Sequence, residues 1–149
     1  MTTKILIMGL PGSGKTALAK ELKMRLTVLD KTVDWYNADI VREQYNDWDF
    51  SHEGRMRQSE RMRELAHASQ ADFVICDFVA PLRQIRKNFG ADFIIWMHTI
   101  EVSRYDDTNK LFEPPIKYNV CVDTMDAVAW AKKIIEQLTA PKQTTTISW

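Results

Sequence analysis

The chain has 149 residues, 45% of them hydrophobic and 27% charged, and its 20 basic and 20 acidic side chains cancel to a formal net charge of zero. That composition builds the core of one domain and excludes a disordered chain, while the charge balance excludes bulk attraction to nucleic acid or to a membrane surface. No apolar run reaches membrane-spanning length, a first strand this near the N-terminus leads us to expect no signal peptide, and Cys76 and Cys121 lack C-x-x-C or zinc spacing, so both read as buried thiols of a cytoplasmic protein.

The first predicted strand, Lys4–Met8, runs into Gly9-Leu10-Pro11-Gly12-Ser13-Gly14-Lys15-Thr16. This octapeptide fits G-x-x-x-x-G-K-[ST], the phosphate-binding P-loop, and a helix predicted over Lys15–Leu26 completes the strand–loop–helix context that the motif needs. Glycines let backbone N–H groups curl around phosphate oxygens, and the helix N-terminus behind them favours anions. A glycine turn that only reverses the chain is the alternative, and the agreement of strand, loop and helix argues against it. Gly9, Leu10, Pro11, Gly12, Ser13, Gly14, Lys15, Thr16 and Ala17 are the candidate nucleotide-binding residues. Lys15 is expected to reach the β- and γ-phosphates and the Thr16 hydroxyl to hold Mg²⁺, which makes ATP and Mg²⁺ the expected cofactors.

The second strand, Thr32–Tyr36, is followed by Asn37-Ala38-Asp39-Ile40-Val41-Arg42 and a short helix, Ile40–Tyr45. Asp39 either serves the metal and a hydroxyl proton or N-caps that helix. On the helix predicted over Glu53–Ser69, Arg55, Gln58, Ser59, Met62, Leu65 and Ala66 share one face. Its lower part is apolar and packs on the sheet, while Arg55 near its start either meets an oxyanion at the ligand rim or is structural. Arg57, Glu60, Arg61 and Glu64 point to solvent with local ion pairs.

The third strand, Asp72–Phe78, places Asp77 at its end, either near the metal or bonded to backbone, and Arg83 and Arg86 on the next helix, Pro81–Asn88, either line the mouth or are solvated. After the fourth strand, Asp92–His98, the polar segment from Thr99 to Pro115 reads as a lid, or as a plain surface connection. A fifth strand, Lys117–Val122, precedes Thr124 as an N-cap and the helix Met125–Leu138, with Ala127, Val128, Ala131, Ile134, Ile135 and Leu138 facing the core. The Thr-rich tail from Pro141 to Trp149 reads as loose, with Trp149 either anchored on a groove or free.

Strands apolar on both faces alternating with helices define an α/β protein: a three-layer P-loop NTPase/kinase fold with a mainly parallel five-stranded sheet. The expected organisation is one kinase domain over residues 1–140 and a polar tail over 141–149. A guanine-reading protein is disfavoured because Asn109-Lys110-Leu111-Phe112 lacks the Asp of N-K-x-D and does not follow a strand directly. A small single domain with a lid segment and inward arginines favours a kinase for a small substrate.

The motifs resemble those of the adenylylsulfate kinase family. Gly9–Thr16 with Ala17-Leu18-Ala19 is similar to G-L-P-G-[SA]-G-K-[ST]-T-[LI]-A, and Asn37–Arg42 resembles D-G-D-x-x-R. Phe50-Ser51 with Arg55 and Gln58 resembles F-S … R-x-x-N, Asp77–Pro81 sits at S-[FI]-I-S-P, Glu101–Phe112 is similar to E-V-C-E-x-R-D-x-K-G-L-Y, and Glu113-Pro114-Pro115 looks like Y-E-P-P. The resemblance implies phosphorylation of the 3′-hydroxyl of adenylylsulfate by ATP, giving PAPS. It implies catalytic roles for Lys15 and Asp39, metal contacts from Thr16 and Asp39, and substrate contacts from Arg42, Phe50, Arg55, Gln58, Val79, Lys110 and Phe112. Adenylylsulfate is then the small-molecule partner, with no membrane or nucleic-acid partner expected and a homodimer left open. The departures are Gln58 for Asn, Ala80 for Ser, Asp106 for the lid Arg, and the loss of the stretch that separates G-L-Y from Y-E-P-P. Kinases for another hydroxyl (a nucleoside, a sugar or a polynucleotide 5′-end), or a nucleotide-binding protein with little catalysis, remain the alternatives.

Overall fold

The computed structural model describes residues 1–140; the tail and Trp149 lie outside the described residues. The five strands are β1 (Thr3–Gly9), β2 (Val33–Asn37), β3 (Phe73–Asp77), β4 (Phe93–Met97) and β5 (Val120–Val122). The helices are α1 (Lys15–Val28), α2 (Ala38–Tyr45), α3 (His52–Ala68), α4 (Arg83–Phe89), α5 (Asp106–Leu111) and α6 (Ala127–Thr139). The sheet order is β2-β3-β1-β4-β5, and every strand pairing is parallel.

Side chains alternate across the central strand, so each face of β1 founds its own core. Ile5 and Ile7 pack with Leu18, Leu22 and Leu26 of α1 and Ile134 of α6. Leu6 and Met8 pack with Met62 and Ala66 of α3 and Ile85 and Phe89 of α4. Each fully buried aliphatic side chain contributes about 1.5–3 kcal/mol, and this two-sided burial explains the unbroken apolar run of β1. The register sets Ile7 of β1 beside Asp77 of β3, and Asp77 beside Asn37 of β2. The C-terminal ends of three strands therefore open on one edge, where ligands bind in such sheets.

Several expectations need correction. The lid segment contains a helix, α5, which has Asp106 and Asp107 in its first turn and Lys110 in its last, charges that complement the helix dipole. The Asn109 side chain braces it through bonds with the backbone and hydroxyl of Ser103 at 2.7–2.8 Å. Asp126, not Thr124, caps α6 by accepting from the Ala129 N–H, and Thr124 Oγ1 accepts from the Trp130 indole instead. Val128 is exposed, and Trp130 packs against the core in its place. Cys121 is half-buried rather than buried, and both cysteines are free thiols. Arg61 is not simply solvated, because it is bonded to Asp47 at 2.7 Å.

Arg83 and Arg86 neither line the mouth nor stand free. The Arg83 guanidinium donates to Pro114 O at 3.1 Å. Arg86 is buried and donates to Ala80 O at 2.8 Å, to Pro81 O at 3.2 Å and to Glu113 O. Burial lowers its pKa to about 10. These bonds tie the C-terminal end of the lid segment to the loop after β3 and steady Ala80, which has a left-handed φ of 46° that few alanines adopt. Arg86→Ala leaves three carbonyls short of a donor and is expected to cost about 2–4 kcal/mol. Urea unfolding checks this, and an unchanged midpoint contradicts it.

Candidate active site

The loop between β1 and α1 is shaped by close approach. A Cβ on Gly9 would lie 2.6 Å from Met97 O, so β1 can sit this near to β4 only with glycine there. Ser13 N–H closes the turn on Leu10 O at 3.2 Å, and Thr99 Oγ1 ties the end of β4 to Ser13 O at 2.8 Å. The N-terminus of α1 has no side-chain cap and no acidic residue in its first turn. Its N–H groups and positive dipole end are left for an anionic ligand. Lys15 Nζ spans the loop, donating to Gly9 O at 3.0 Å and Leu10 O at 2.9 Å. Desolvation lowers its pKa to about 8 against the opposing pull of Asp77 and Asp39.

A polar relay runs across the strand ends beside this loop. Asn37 Oδ1 accepts from the Asp39 and Ile40 N–H groups at 3.1 and 3.2 Å, so Asn37, not Asp39, caps α2. Asp39 is thereby freed to face the cavity from the first turn of α2. The Asn37 carboxamide also donates to Thr16 Oγ1 at 3.1 Å and Asp77 Oδ1 at 2.9 Å, and the Trp35 indole donates to Asp77 Oδ2 at 2.6 Å. Burial lifts the pKa of Asp77 to about 6, against the Trp35 bond and the Lys15 charge.

The far wall is built by α3, the loop before it and the lid segment. Ser51 caps α3 by accepting from the Gly54 N–H, and a Cβ on Gly54 would collide with Asp49 O, so glycine lets this loop lie against the helix. Arg42 is buried behind the loop, donating to Asp47 O at 3.0 Å and Asp49 O at 3.1 Å, with its guanidinium 4.3 Å from the centre of the Phe50 ring. Asp47 holds two further arginines, and the bonds from Arg57 and Arg61 keep its carboxyl well below the usual range. Arg55 donates to Phe50 O at 2.8 Å and bridges to the lid through Thr108 Oγ1 at 3.2 Å and the exposed Asp107 carboxylate at 3.3 Å.

These walls enclose a cavity of about 1000 Å³, at the large end for small-ligand sites. Of the residues singled out from the sequence, Pro11, Gly12, Gly14, Lys15, Thr16 and Ala17 line one end. Asp39, Phe50, Arg55 and Val79 line the rest. Gly9, Leu10 and Ser13 shape the loop from behind. Arg42, Gln58, Lys110 and Phe112 are not on the wall: Gln58 donates to Ala38 O at 2.9 Å, Phe112 packs against the α4-side core, and Lys110 is exposed. The lid segment faces the cavity with Arg104, Tyr105, Asp107 and Thr108, and the loop before α3 adds Trp48. Motif spacing aligned the lid arginine with Asp106, yet the guanidinium on the wall is that of Arg104, two residues earlier. Asn37 was findable as an Asn directly before a helical stretch. Trp48 and Tyr105 carried no such signal.

A strictly parallel sheet with a glycine loop after its central strand, an open helix N-terminus and a lysine across the loop define a P-loop kinase fold. The chain belongs to the adenylylsulphate kinase family, whose model matches residues 1–111. It is 31% identical over 114 residues to the bifunctional enzyme CysN/CysC of Rhodopirellula baltica, a match covering 70% of this chain and 18% of that protein's length. Among solved structures it is similar to the Mycobacterium tuberculosis APS kinase CysC in complex with AMPPNP and APS, with a TM-score of 0.76, 18% identity, and coverage of 92% of this chain and 97% of that one. For the hexameric APS kinase from Thiobacillus denitrificans the TM-score is 0.74 at 24% identity, covering 93% of this chain and 29% of that one. Shikimate kinase from Acinetobacter baumannii, in complex with shikimate, gives a TM-score of 0.66 at 15% identity, with 97% of each chain covered.

Proposed function

We infer that this chain, as one domain over residues 1–140, transfers the γ-phosphoryl group of ATP to the 3′-hydroxyl of adenylylsulfate, giving PAPS. The observation that carries this reading is a single cavity with the phosphate loop at one end and Arg55 with Phe50 at the other, in a chain of the adenylylsulphate kinase family. The donor set fits a magnesium nucleotide. The Thr16 hydroxyl and the Asp39 carboxylate face the same space, and among the described residues no three His, Cys, Asp or Glu side chains cluster into a cage. Mg²⁺ bound through one or two protein oxygens, phosphates and water matches that set. When bound, the ion neutralises charge developing on the transferred phosphoryl oxygens.

The chain's own groups do the remaining work. Loop amides and the N-terminus of α1 hold phosphate oxygens, and Lys15 adds a positive charge where negative charge builds up in the transition state. Asp39 accepts a hydrogen bond from the attacking hydroxyl and draws off its proton as the new P–O bond forms. Arg55 takes the phosphosulfate oxyanion in competition with Asp107, which is exposed and held at only 3.3 Å. Phe50, half-exposed on the wall, offers a stacking face to the adenine ring. One observation favours a second reading, a kinase for another hydroxyl: Lys110 and Phe112 leave the wall, which carries Arg104 and Tyr105 instead.

Arg55→Ala is expected to raise KM for adenylylsulfate on the order of ten- to hundredfold through the lost charge-assisted bonds. ATP affinity should stay within about threefold, since Arg55 lies at the end away from the loop; a loss confined to ATP contradicts this placement. Among the described residues no helix is long and apolar enough to cross a membrane. A cytoplasmic location and a homodimer belong to the same proposal. The two free thiols support the first, the hexameric state of the Thiobacillus denitrificans relative supports self-association, and analytical ultracentrifugation tests the second.

A further inference from the structure

The sheet ends on one side at β2, which pairs only with β3. Thr32 O accepts from the Phe73 N–H at 3.1 Å, and Val33 stands level with Phe73. Peptide groups of alternate residues in a strand point to the same side. Thr32, Asp34 and Tyr36 therefore turn theirs to β3, while Val33 and Trp35 turn theirs to the open edge. Among the described residues no main-chain group meets them there. An unpaired edge of this kind is a template for a further strand.

Beside that edge lies a groove of about 360 Å³ between β2 and α1. Trp35 lines it from β2, its indole pinned to Asp77 Oδ2 at 2.6 Å. The α1 side is a single stripe, because Lys20, Lys23, Met24, Thr27 and Val28 follow the spacing of one helix face. Leu18, Leu22 and Leu26 already commit the opposite face of α1 to the core. The apolar side chains of the stripe are left outside, with Met24 49% and Val28 77% exposed.

Charge decides between occupants. Among the described residues neither lysine lies in an ion pair, and no residue lining the groove is acidic. A second copy meeting this face about a two-fold axis presents the same patch again, which gathers the lysines of both copies with no counter-charge. An acidic chain supplies that charge. Only an extended chain also reaches the main-chain groups of Val33 and Trp35.

We propose that the β2 edge and the adjoining groove dock an extended acidic segment of another protein, which joins the sheet as a further strand. Its main chain pairs with Val33 and Trp35, its apolar side chains cover Met24, Val28 and Trp35, and its carboxylates meet Lys20 and Lys23. None of these residues lines the nucleotide cavity, so the inference does not depend on which hydroxyl is phosphorylated.

The test is NMR-detected amide exchange and titration of the full chain with acetyl-Glu-Thr-Val-Thr-Val-Thr-Glu-amide, whose glutamates and valines share one face of a strand. Two further peptides are compared, one with Lys for both glutamates and one with Pro for the central Thr and the valine after it. The prolines remove a main-chain donor whichever way the strand lies. In the chain alone the Val33 and Trp35 amides should exchange faster than those of Asp34 and Tyr36, which bond to β3. The acidic peptide should slow them at least about tenfold, and neither of the other peptides should. Lys20→Glu/Lys23→Glu should weaken the acidic peptide on the order of tenfold or more and bind the Lys peptide instead. Both lysines are exposed and outside the two cores, so the variant should fold; should it not, the three peptides on the wild type decide alone. The proposal is overturned if the acidic peptide gives no protection, if the Lys or Pro peptide protects equally, or if the charge-reversed variant binds as the wild type does. Protection already present in the free chain also overturns it. Its loss on deletion of residues 141–149 would assign the groove to the chain's own tail, and its loss on dilution would assign it to a second copy.

Discussion

Lys15→Ala is expected to lower kcat on the order of a hundredfold or more, because a preorganised charge at the transferring phosphoryl group is lost from a site that cannot reorganise to replace it. Lys15 bonds only loop carbonyls, at 2.9 and 3.0 Å, so its removal leaves the two cores intact. The same ammonium makes nucleotide binding depend on pH. Its pKa lies at about 8 in the nucleotide-free chain, down from 10.5. Phosphates bind the protonated form, so below that pH the charge is already in place. Above it each binding event must take up a proton, and affinity falls by up to about tenfold per pH unit. Calorimetry of the ATP analogue between pH 7 and 10 should show this decline in the wild type and not in Lys15→Ala. A flat wild-type profile would mean that Lys15 does not face the phosphates.

Asp39→Ala is expected to lower kcat by about 10²–10⁴-fold, with affinity for the nucleotide in EDTA nearly unchanged. The argument turns on Asn37. Because Asn37 caps α2, the Asp39 carboxylate is not needed to start that helix, and among the described residues it has no side-chain hydrogen bond. Its replacement should shift the melting temperature by little more than an ordinary surface change, so a large loss of turnover reports chemistry rather than unfolding. Steady-state kinetics beside a thermal melt and a nucleotide titration check this. Retained turnover would remove Asp39 as the base, and a collapse of the fold would return it to a structural role.

Legibility followed the range of the forces involved. The phosphate loop and the five strands were readable because glycine geometry, apolar runs and strand–helix alternation are local patterns. Arg55 was readable because helical spacing alone put it on the buried face of α3, above Met62 and Ala66. Which residue caps α2 was not, since the choice between Asn37 and Asp39 depends on a helix start at Ala38 that propensity cannot place so finely. Helix α5 has six residues, too few to display an apolar period, and beside the local brace at Asn109 it is held by Arg55 from 52 and 53 residues away, with Arg86 holding Glu113 just after it from 27 residues away. Lys110 and Phe112 were assigned by motif spacing in the segment where this chain is shorter than the pattern, and there spacing no longer predicts direction. Arg104 and Tyr105 reach the wall instead.

The most direct test of the central claim is ADP release from Mg-ATP with and without adenylylsulfate, with adenosine and a DNA 5′-hydroxyl end as comparison acceptors. Stimulation by adenylylsulfate alone, with PAPS as the product, is the expected result and would show that the short lid suffices. Stimulation by another acceptor and not by adenylylsulfate, or tight ATP binding with stimulation by none of them, would contradict it.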